Sequence, residues 1–126
     1  MKEKNIKNVK LPVSAPFHCK LMSKATEVMR KEIDNANFMD ANNILISNVT
    51  GNEVSNKDDL KRLLIDQIEN RVRWRESIIY MIEKGVKSYI EIGPGKVLSG
   101  LVKRINKDVK IHTINNLDDI KIIENV

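Results

Sequence analysis

Short apolar runs alternate with longer amphipathic segments along most of this chain, and this alternation limits the folds open to it. Four runs are predicted to be strands, at residues 9–14, 44–49, 86–92 and 109–114. Apolar residues recur every three or four positions elsewhere, which predicts helices over residues 19–36, 55–70, 72–84 and 96–106. Strands that alternate with helices need crossover connections. The pattern therefore predicts an α/β fold with a mainly parallel sheet covered by helices on both faces.

Two of these elements carry specific expectations about burial. The run Ile44–Val49 is almost continuously apolar, as expected for a strand buried on both faces of a parallel sheet. The apolar positions of the first helix share one face and predict a buried stripe: Leu21, Ala25, Val28, Met29 and Ile33. The first strand follows a Lys/Asn-rich stub, residues 1–8, as if its neighbouring strands came from elsewhere. That arrangement predicts an uncovered sheet edge and self-association.

Composition excludes several classes of protein. The chain has 126 residues, which suits one compact domain or half of a larger one. No apolar run is long enough to cross a bilayer and no signal peptide is evident, so we expect a cytoplasmic protein with no membrane partner. A single cysteine argues against a disulfide framework, and two histidines give no metal-ligand spacing. The net charge of +5 is scattered among acids and accompanied by few aromatic residues, which argues against nucleic acid.

His18 is the first candidate for chemistry. The stretch Leu11–Cys19 breaks at Pro16 and delivers His18 at the end of a strand, where α/β folds commonly place reactive groups. A histidine there is a natural general base, or it is a turn histidine satisfied by a backbone carbonyl, which is the commoner case. Cys19 beside it is better interpreted as a small buried thiol than as half of a Cys–His dyad.

A nucleophile for His18 is not found in the sequence. A strained nucleophile elbow needs glycine two residues before and after the serine. None of the seven serines meets this requirement; Ser99 precedes Gly100 but falls within a predicted helix. The chain therefore offers a base without a serine partner.

Three further features allow both a structural and a functional interpretation. Gln67 falls on the apolar face of the second helix and is either a satisfied buried amide, which is favoured, or the edge of a site. The turn Gly93–Lys96 opens a helix after a strand, as anion-binding turns do, but lacks the spacing of a nucleotide motif. His112 is more simply a core or edge residue of its strand.

The ordered set of motifs resembles the C-terminal part of the malonyl-CoA:acyl-carrier-protein transacylase family. The matching stretches, over roughly residues 9–106, are Leu11–Cys19 with Leu21 and Met22, Ser47–Thr50, Gln67 with Val72–Trp74, Met81 with Gly85, and Glu91–Leu101 with Lys103–Ile105. Each stretch is modest alone, and the ordered set is specific.

The resemblance implies a fold and a set of roles. It implies part of an α/β-hydrolase-like acyltransferase core, without the family's inserted ferredoxin-like subdomain. Residues 1–8 would be an N-terminal stub, 9–116 the C-terminal part of the catalytic domain, and 117–126 a helical tail. His18 would be the general base, and the backbone carbonyl of Gln67 would orient it. The implied substrate is malonyl-CoA, the acceptor is acyl carrier protein, and no bound cofactor or metal is expected.

The departures from the family limit what the chain is expected to do alone. The family's oxyanion loop, serine elbow and malonyl-binding arginine have no counterpart in this sequence. We therefore expect a truncated or split transacylase that is inactive unless it docks with the missing N-terminal part of the enzyme. Two alternatives remain at this point. The chain could come from the acyltransferase domain of a polyketide synthase, where Phe17 would also precede the histidine, or it could be a noncatalytic α/β module that binds a phosphate-bearing partner at Gly93–Lys96.

Overall fold

The computed structural model describes residues 13–125 and the side chains of residues 13–121. A 3-10 turn at Lys20–Met22 precedes four helices, which are α1 (Ser23–Asn35), α2 (Lys57–Asp66), α3 (Trp74–Glu83) and α4 (Val97–Ile105). The described strands are β1 (Leu45–Ile46), β2 (Glu53–Val54), β3 (Ser88–Ile92) and β4 (Lys110–Ile114). A 3-10 segment covers Leu117–Asn125. The fold is α/β, as the alternation predicts. In the described residues, no helix is both long and apolar enough to cross a membrane.

The core lies between the parallel pair β3 and β4 and the helices α3 and α4. The two strands run in register from Ser88 opposite Lys110 to Ile92 opposite Ile114. Ile78, Val102 and Val109 form the buried centre. Further half-buried apolar side chains pack around it: Trp74, Met81, Ile82, Tyr89, Ile105 and Ile111. The predicted strands at 86–92 and 109–114 are confirmed as β3 and β4. Helix α4 lies between them in the chain and is the crossover connection that a parallel pair needs.

The prediction for residues 44–49 is wrong in its pairing and burial. Only Leu45 and Ile46 form a strand, and they pair antiparallel with the unpredicted strand β2 through the turn that contains Gly51. Ile44 is 75% exposed and Leu45 is 44% exposed. The described residues place no other strand beside this hairpin, so its apolar side chains lack the second layer that a buried parallel strand would have. Within residues 13–125, the sheet structure is therefore one parallel and one antiparallel pair, and not mainly parallel.

The buried stripe predicted for the first helix is also wrong, although the helix itself is confirmed. Leu21 is 77% exposed and Val28 is 62% exposed, and Met29 is exposed as well. Helix α1 packs on α2, and of the predicted stripe only Ala25 and Ile33 are half-buried. Apolar periodicity reports which face a helix prefers to bury, and it does not report whether a partner is present.

Helix α2 begins at an asparagine cap and ends earlier than predicted. The Asn56 side chain accepts hydrogen bonds from the N–H groups of Asp58 and Asp59, at 2.9 and 3.2 Å. The helix was predicted to run to residue 70 and ends at Asp66, so Gln67 is the residue after its last turn. After α3, Gly85 has a φ of 89°, the left-handed conformation expected of a glycine that ends a helix.

The first predicted strand and the stub fall mainly outside the described part of the chain. Residues 1–12 and 126 are not described, which leaves the stub and residues 9–12 of that strand without a structural account. Val13 and Ser14, the described end of the strand, are not in a strand.

Candidate active site

His18 stands at a tight break between Pro16 and the 3-10 turn. Its φ is 60°, and it is the one residue other than glycine with a positive φ in the described chain. The surrounding backbone closes on itself, because Phe17 N–H donates to the Ala15 carbonyl at 2.9 Å and the Cys19 thiol donates to the Pro16 carbonyl at 3.1 Å. Left-handed non-glycine residues cost free energy and cluster at functional sites. The positive φ therefore makes His18 a candidate functional residue, and its side chain is exposed.

The ring of His18 is held by the main chain of Gln67. Its Nδ1 lies 2.7 Å from the Gln67 carbonyl oxygen. Because a carbonyl only accepts, Nδ1 carries the proton in this bond. The neutral imidazole then has its lone pair on Nε2. A ring in this tautomer can accept a proton from a nucleophile placed at its Nε2 side.

The Gln67 carbonyl belongs to the C-terminal end of α2, which gives it more acceptor strength than an isolated amide. The last carbonyls of a helix have no helical N–H partner and carry the negative end of the helix dipole. Asp58 and Asp59 lie in the first turn of the same helix, where negative charge is favoured. The His18 ring at the opposite end therefore meets the partial negative charge of this helix end.

The side chain of Gln67 has its own partner, which sequence reasoning missed. Asn48 Nδ2 donates to Gln67 Oε1 at 3.4 Å, and the Asn48 carbonyl accepts from Arg73 N–H at 2.8 Å. Gln67 is half-buried and its Oε1 has a hydrogen-bond partner, in line with the structural interpretation of this residue. The signal in the sequence is the polar pair Ser47 and Asn48 inside an otherwise apolar run.

The turn Gly93–Lys96 is organised by protein groups at its own helix N-terminus. The Glu91 carboxylate accepts from Leu98 N–H at 3.1 Å and Ser99 N–H at 2.8 Å, and Asn115 Oδ1 accepts from Gly95 N–H at 2.6 Å. Ser99 and then Leu98 lower the pKa of Glu91, although the Ser99 hydroxyl beside the carboxylate falls short of hydrogen-bonding geometry. A phosphate at this helix end would have to displace a carboxylate, which argues against the anion-binding interpretation.

The other candidate residues are kept apart from His18. Cys19 is half-buried and bonded to the Pro16 carbonyl, so the structure pairs it with the backbone rather than with the imidazole. His112 is half-buried in β4, opposite Ile90. Within the described residues, no serine hydroxyl is hydrogen-bonded to His18, and no group of three or more His, Cys, Asp or Glu side chains could hold a metal.

Comparison with known proteins finds relatives that match most of this chain. The chain is 42% identical over 114 residues to a malonyl CoA-acyl carrier protein transacylase of Bacillus subtilis, covering 90% of this chain. It is 40% identical over 111 residues to the Staphylococcus aureus transacylase. The solved transacylase structures from Clostridium perfringens and Bartonella henselae superpose with TM-scores of 0.87 and 0.89, each at 40% identity and over 98% of this chain. No protein-family model matches the chain.

The chain is homologous to the C-terminal part of malonyl CoA-acyl carrier protein transacylases. It spans 36% of the length of the Bacillus and Staphylococcus transacylases and 39 to 40% of the two solved ones. A further solved transacylase, described in complex with a type II polyketide acyl carrier protein, superposes with a TM-score of 0.82 at 32% identity, over 92% of this chain and 38% of its own length.

Proposed function

We propose that this chain supplies the general base of a malonyl-CoA:acyl-carrier-protein transacylase. The observation that carries the proposal is the hydrogen bond from His18 Nδ1 to the Gln67 carbonyl, in a chain whose relatives are named as that transferase. The fold would be the C-terminal part of an α/β-hydrolase-like acyltransferase core. The nucleophilic serine and the group that binds the malonyl carboxylate would come from the N-terminal part of the enzyme.

The chemistry assigned to His18 is a pair of proton transfers. Nε2 takes the proton of the serine hydroxyl as the serine oxygen attacks the thioester carbonyl of malonyl-CoA. The tetrahedral intermediate expels the coenzyme A thiolate, which receives the proton back from the imidazolium and leaves as the thiol. A malonyl-serine ester remains, and His18 is neutral again.

The second half of the reaction repeats these steps with another thiol. Nε2 takes the proton of the phosphopantetheine thiol of the acyl carrier protein as the sulfur attacks the malonyl ester. The serine oxygen then leaves and regains a proton from His18. In both halves the imidazolium forms while its Nδ1–H is donated to the Gln67 carbonyl, so the helix end takes the place that a carboxylate fills in a Ser-His-Asp triad.

The surface of the chain supports a role for a second polypeptide segment. Many large apolar side chains are exposed in the described residues, including Leu21 in the 3-10 turn before α1 and Ile92 at the end of β3, at 77 and 78%. Apolar surface of this extent is typical of an interface. We propose that the N-terminal part of the transacylase covers it, and that acyl carrier protein and malonyl-CoA bind the completed enzyme.

Malonyl transfer by the full chain, alone and mixed with the N-terminal part of the Bacillus subtilis transacylase, tests this proposal. We expect transfer to acyl carrier protein in the mixture and none from either piece alone. The His18→Ala chain in the same mixture is the control, and it should associate without restoring transfer. Association of the two pieces without any activity would count against the assigned role of His18.

A further inference from the structure

Asn48 occupies a turn that is fixed by its own backbone. Ser47 N–H donates to the Asn52 carbonyl at 3.0 Å, and Gly51 N–H donates to the Ser47 carbonyl at 2.8 Å. The Ser47 hydroxyl also accepts from Val49 N–H at 3.2 Å. Ser47 is 6% exposed. These contacts on both sides of Asn48 fix the position of its Cα and therefore the origin of its side chain.

A second contact ties the same turn to α3. The Asn48 carbonyl accepts from Arg73 N–H at 2.8 Å, directly before Trp74, the first residue of that helix. Trp74 packs against the buried core centred on Ile78. The main chain of Asn48 is therefore hydrogen-bonded to the start of a helix that packs into the buried core, which defines the position of its side-chain amide.

That amide reaches the residue whose carbonyl holds His18. Asn48 Nδ2 lies 3.4 Å from Gln67 Oε1, and Gln67 O lies 2.7 Å from His18 Nδ1. Gln67 follows the last residue of α2, where helix ends fray and residues gain backbone freedom. Because Asn48 holds the tip of the Gln67 side chain, the backbone of Gln67 has less freedom. The direction of the Gln67 carbonyl therefore depends on the contact with Asn48.

We propose that Asn48 is a positioning residue for His18, acting through the Gln67 amide. The inference rests on the proposed role of His18 as a base and adds a residue to which no role has been assigned. With the Asn48 contact in place, the Gln67 carbonyl stays aimed at Nδ1, the proton stays on Nδ1 and the lone pair stays on Nε2. Without it, the carbonyl turns away for part of the time and the Nε2–H tautomer, which cannot accept a proton at Nε2, gains population.

The tautomer ratio of His18 measures this effect in the full chain without any need for activity. Nitrogen-15 labelling of the histidines gives the chemical shifts of Nδ1 and Nε2, which report the population-weighted tautomer ratio at alkaline pH, where imidazole is neutral. We expect the Nδ1–H form to predominate in the unaltered chain. Asn48→Ala should shift the ratio toward Nε2–H by about two- to fivefold, the size expected from one neutral hydrogen bond.

Three further variants separate positioning from general damage. Asn52→Ala changes an asparagine of the same turn whose side chain makes no hydrogen bond within the described residues, and it should leave the ratio unchanged. Asn48→Asp has the same shape and can accept from a rotated Gln67 amide, so it should restore most of the ratio. Gln67→Leu keeps the carbonyl and removes the amide. It should reproduce the Asn48→Ala shift, and the two changes together should not add.

An unchanged ratio in both Asn48→Ala and Gln67→Leu, with native circular dichroism, would overturn the proposal. An equal shift in Asn52→Ala would overturn it too, because the effect would then belong to the turn as a whole. Where Asn48→Ala does not fold, Asn48→Asp and Gln67→Leu still decide the matter. The result does not depend on malonyl transfer, so failure of the positioning role and failure of the proposed function are distinguished.

Discussion

The ring of His18 and the main chain of Gln67 are 49 residues apart in sequence and 2.7 Å apart in space. The bond joins a residue in a left-handed conformation to the C-terminal end of α2. It holds the Nδ1–H tautomer and leaves Nε2 free to accept a proton. The proposed role of His18 as the general base rests on this contact.

Removal of the imidazole should abolish most of the transfer activity of the assembled enzyme. His18→Ala deletes the proposed base, and the loss of a positioned general base costs about 10²- to 10⁴-fold in rate. The matched control is Cys19→Ser, since serine can also donate to the Pro16 carbonyl, and it should retain activity. Steady-state malonyl transfer measures both. Equal losses in the two variants would point to damage of the turn instead of loss of a base.

Gly51→Ala should destabilise the chain. Gly51 has a φ of 72° and is buried, and a Cβ there would meet Glu76 Cβ at 3.3 Å. We expect a loss of roughly 1–2 kcal/mol or more in the free energy of unfolding, from the left-handed backbone alone. Gly100→Ala is the control with the opposite sign, because Gly100 is exposed inside α4 with open space around its Cα. It should stabilise by about 0.5–1 kcal/mol. Urea denaturation gives both values.

Burial should decide the cost of removing one methyl group. Ile78 is 1% exposed at the centre of the core, whereas Ile92 is 78% exposed at the end of β3. Ile78→Val should cost about 0.5–1.5 kcal/mol of unfolding free energy. Ile92→Val keeps the β-branched shape and should be close to neutral in the isolated chain. If Ile92→Val cost as much as Ile78→Val, the exposure of β3 in the isolated chain would be wrong.

The stability of the chain should fall at acid pH through Glu91. Ser99 and Leu98 lower the pKa of Glu91 below its ordinary value of 4.5, because their N–H groups donate to the ionised carboxylate. A carboxyl whose pKa is lower in the folded state stabilises the fold above its unfolded pKa. That stabilisation is lost as the pH falls below 4.5 and through the folded-state pKa.

Thermal unfolding across this pH range measures the contribution. Glu91→Gln should lower the melting temperature at neutral pH and flatten its dependence on acid. Glu83→Gln is the control, because Glu83 is exposed in α3 and makes no hydrogen bond or ion pair within the described residues, and it should leave the pH dependence as it is. A Glu91→Gln chain that kept the full acid dependence would show that the cap of α4 does not cause it.

Sequence periodicity predicted the elements of this fold better than their surroundings. The helices α1 to α4 and the strands β3 and β4 were predicted because each carries its own apolar pattern. The exposure of Val28 and Ile44 was not predicted, because the burial of a residue depends on what packs against it. The apolar spacing predicts that α2 ends at residue 70, four residues after its observed end at Asp66. The spacing of apolar residues carries no information on fraying or on the geometry of the cap.

The candidate site could be predicted in part for a similar reason. His18 and Gln67 stood out through motifs that resemble a known family. The positive φ of His18 depends on the local turn, and its meeting with Gln67 depends on tertiary packing, so neither follows from residue spacing. The contact between Asn48 and Gln67 is likewise a product of the fold. The catalytic roles of these residues remain predictions.

A chimeric enzyme tests the central claim most directly. In it, this chain replaces the matching segment of the Bacillus subtilis transacylase, and transfer of malonyl from coenzyme A to acyl carrier protein is measured. We predict transfer by the chimera and a loss of about 10²- to 10⁴-fold when it carries His18→Ala. A folded chimera that transfers no malonyl group, or one that transfers equally well without His18, would contradict the account.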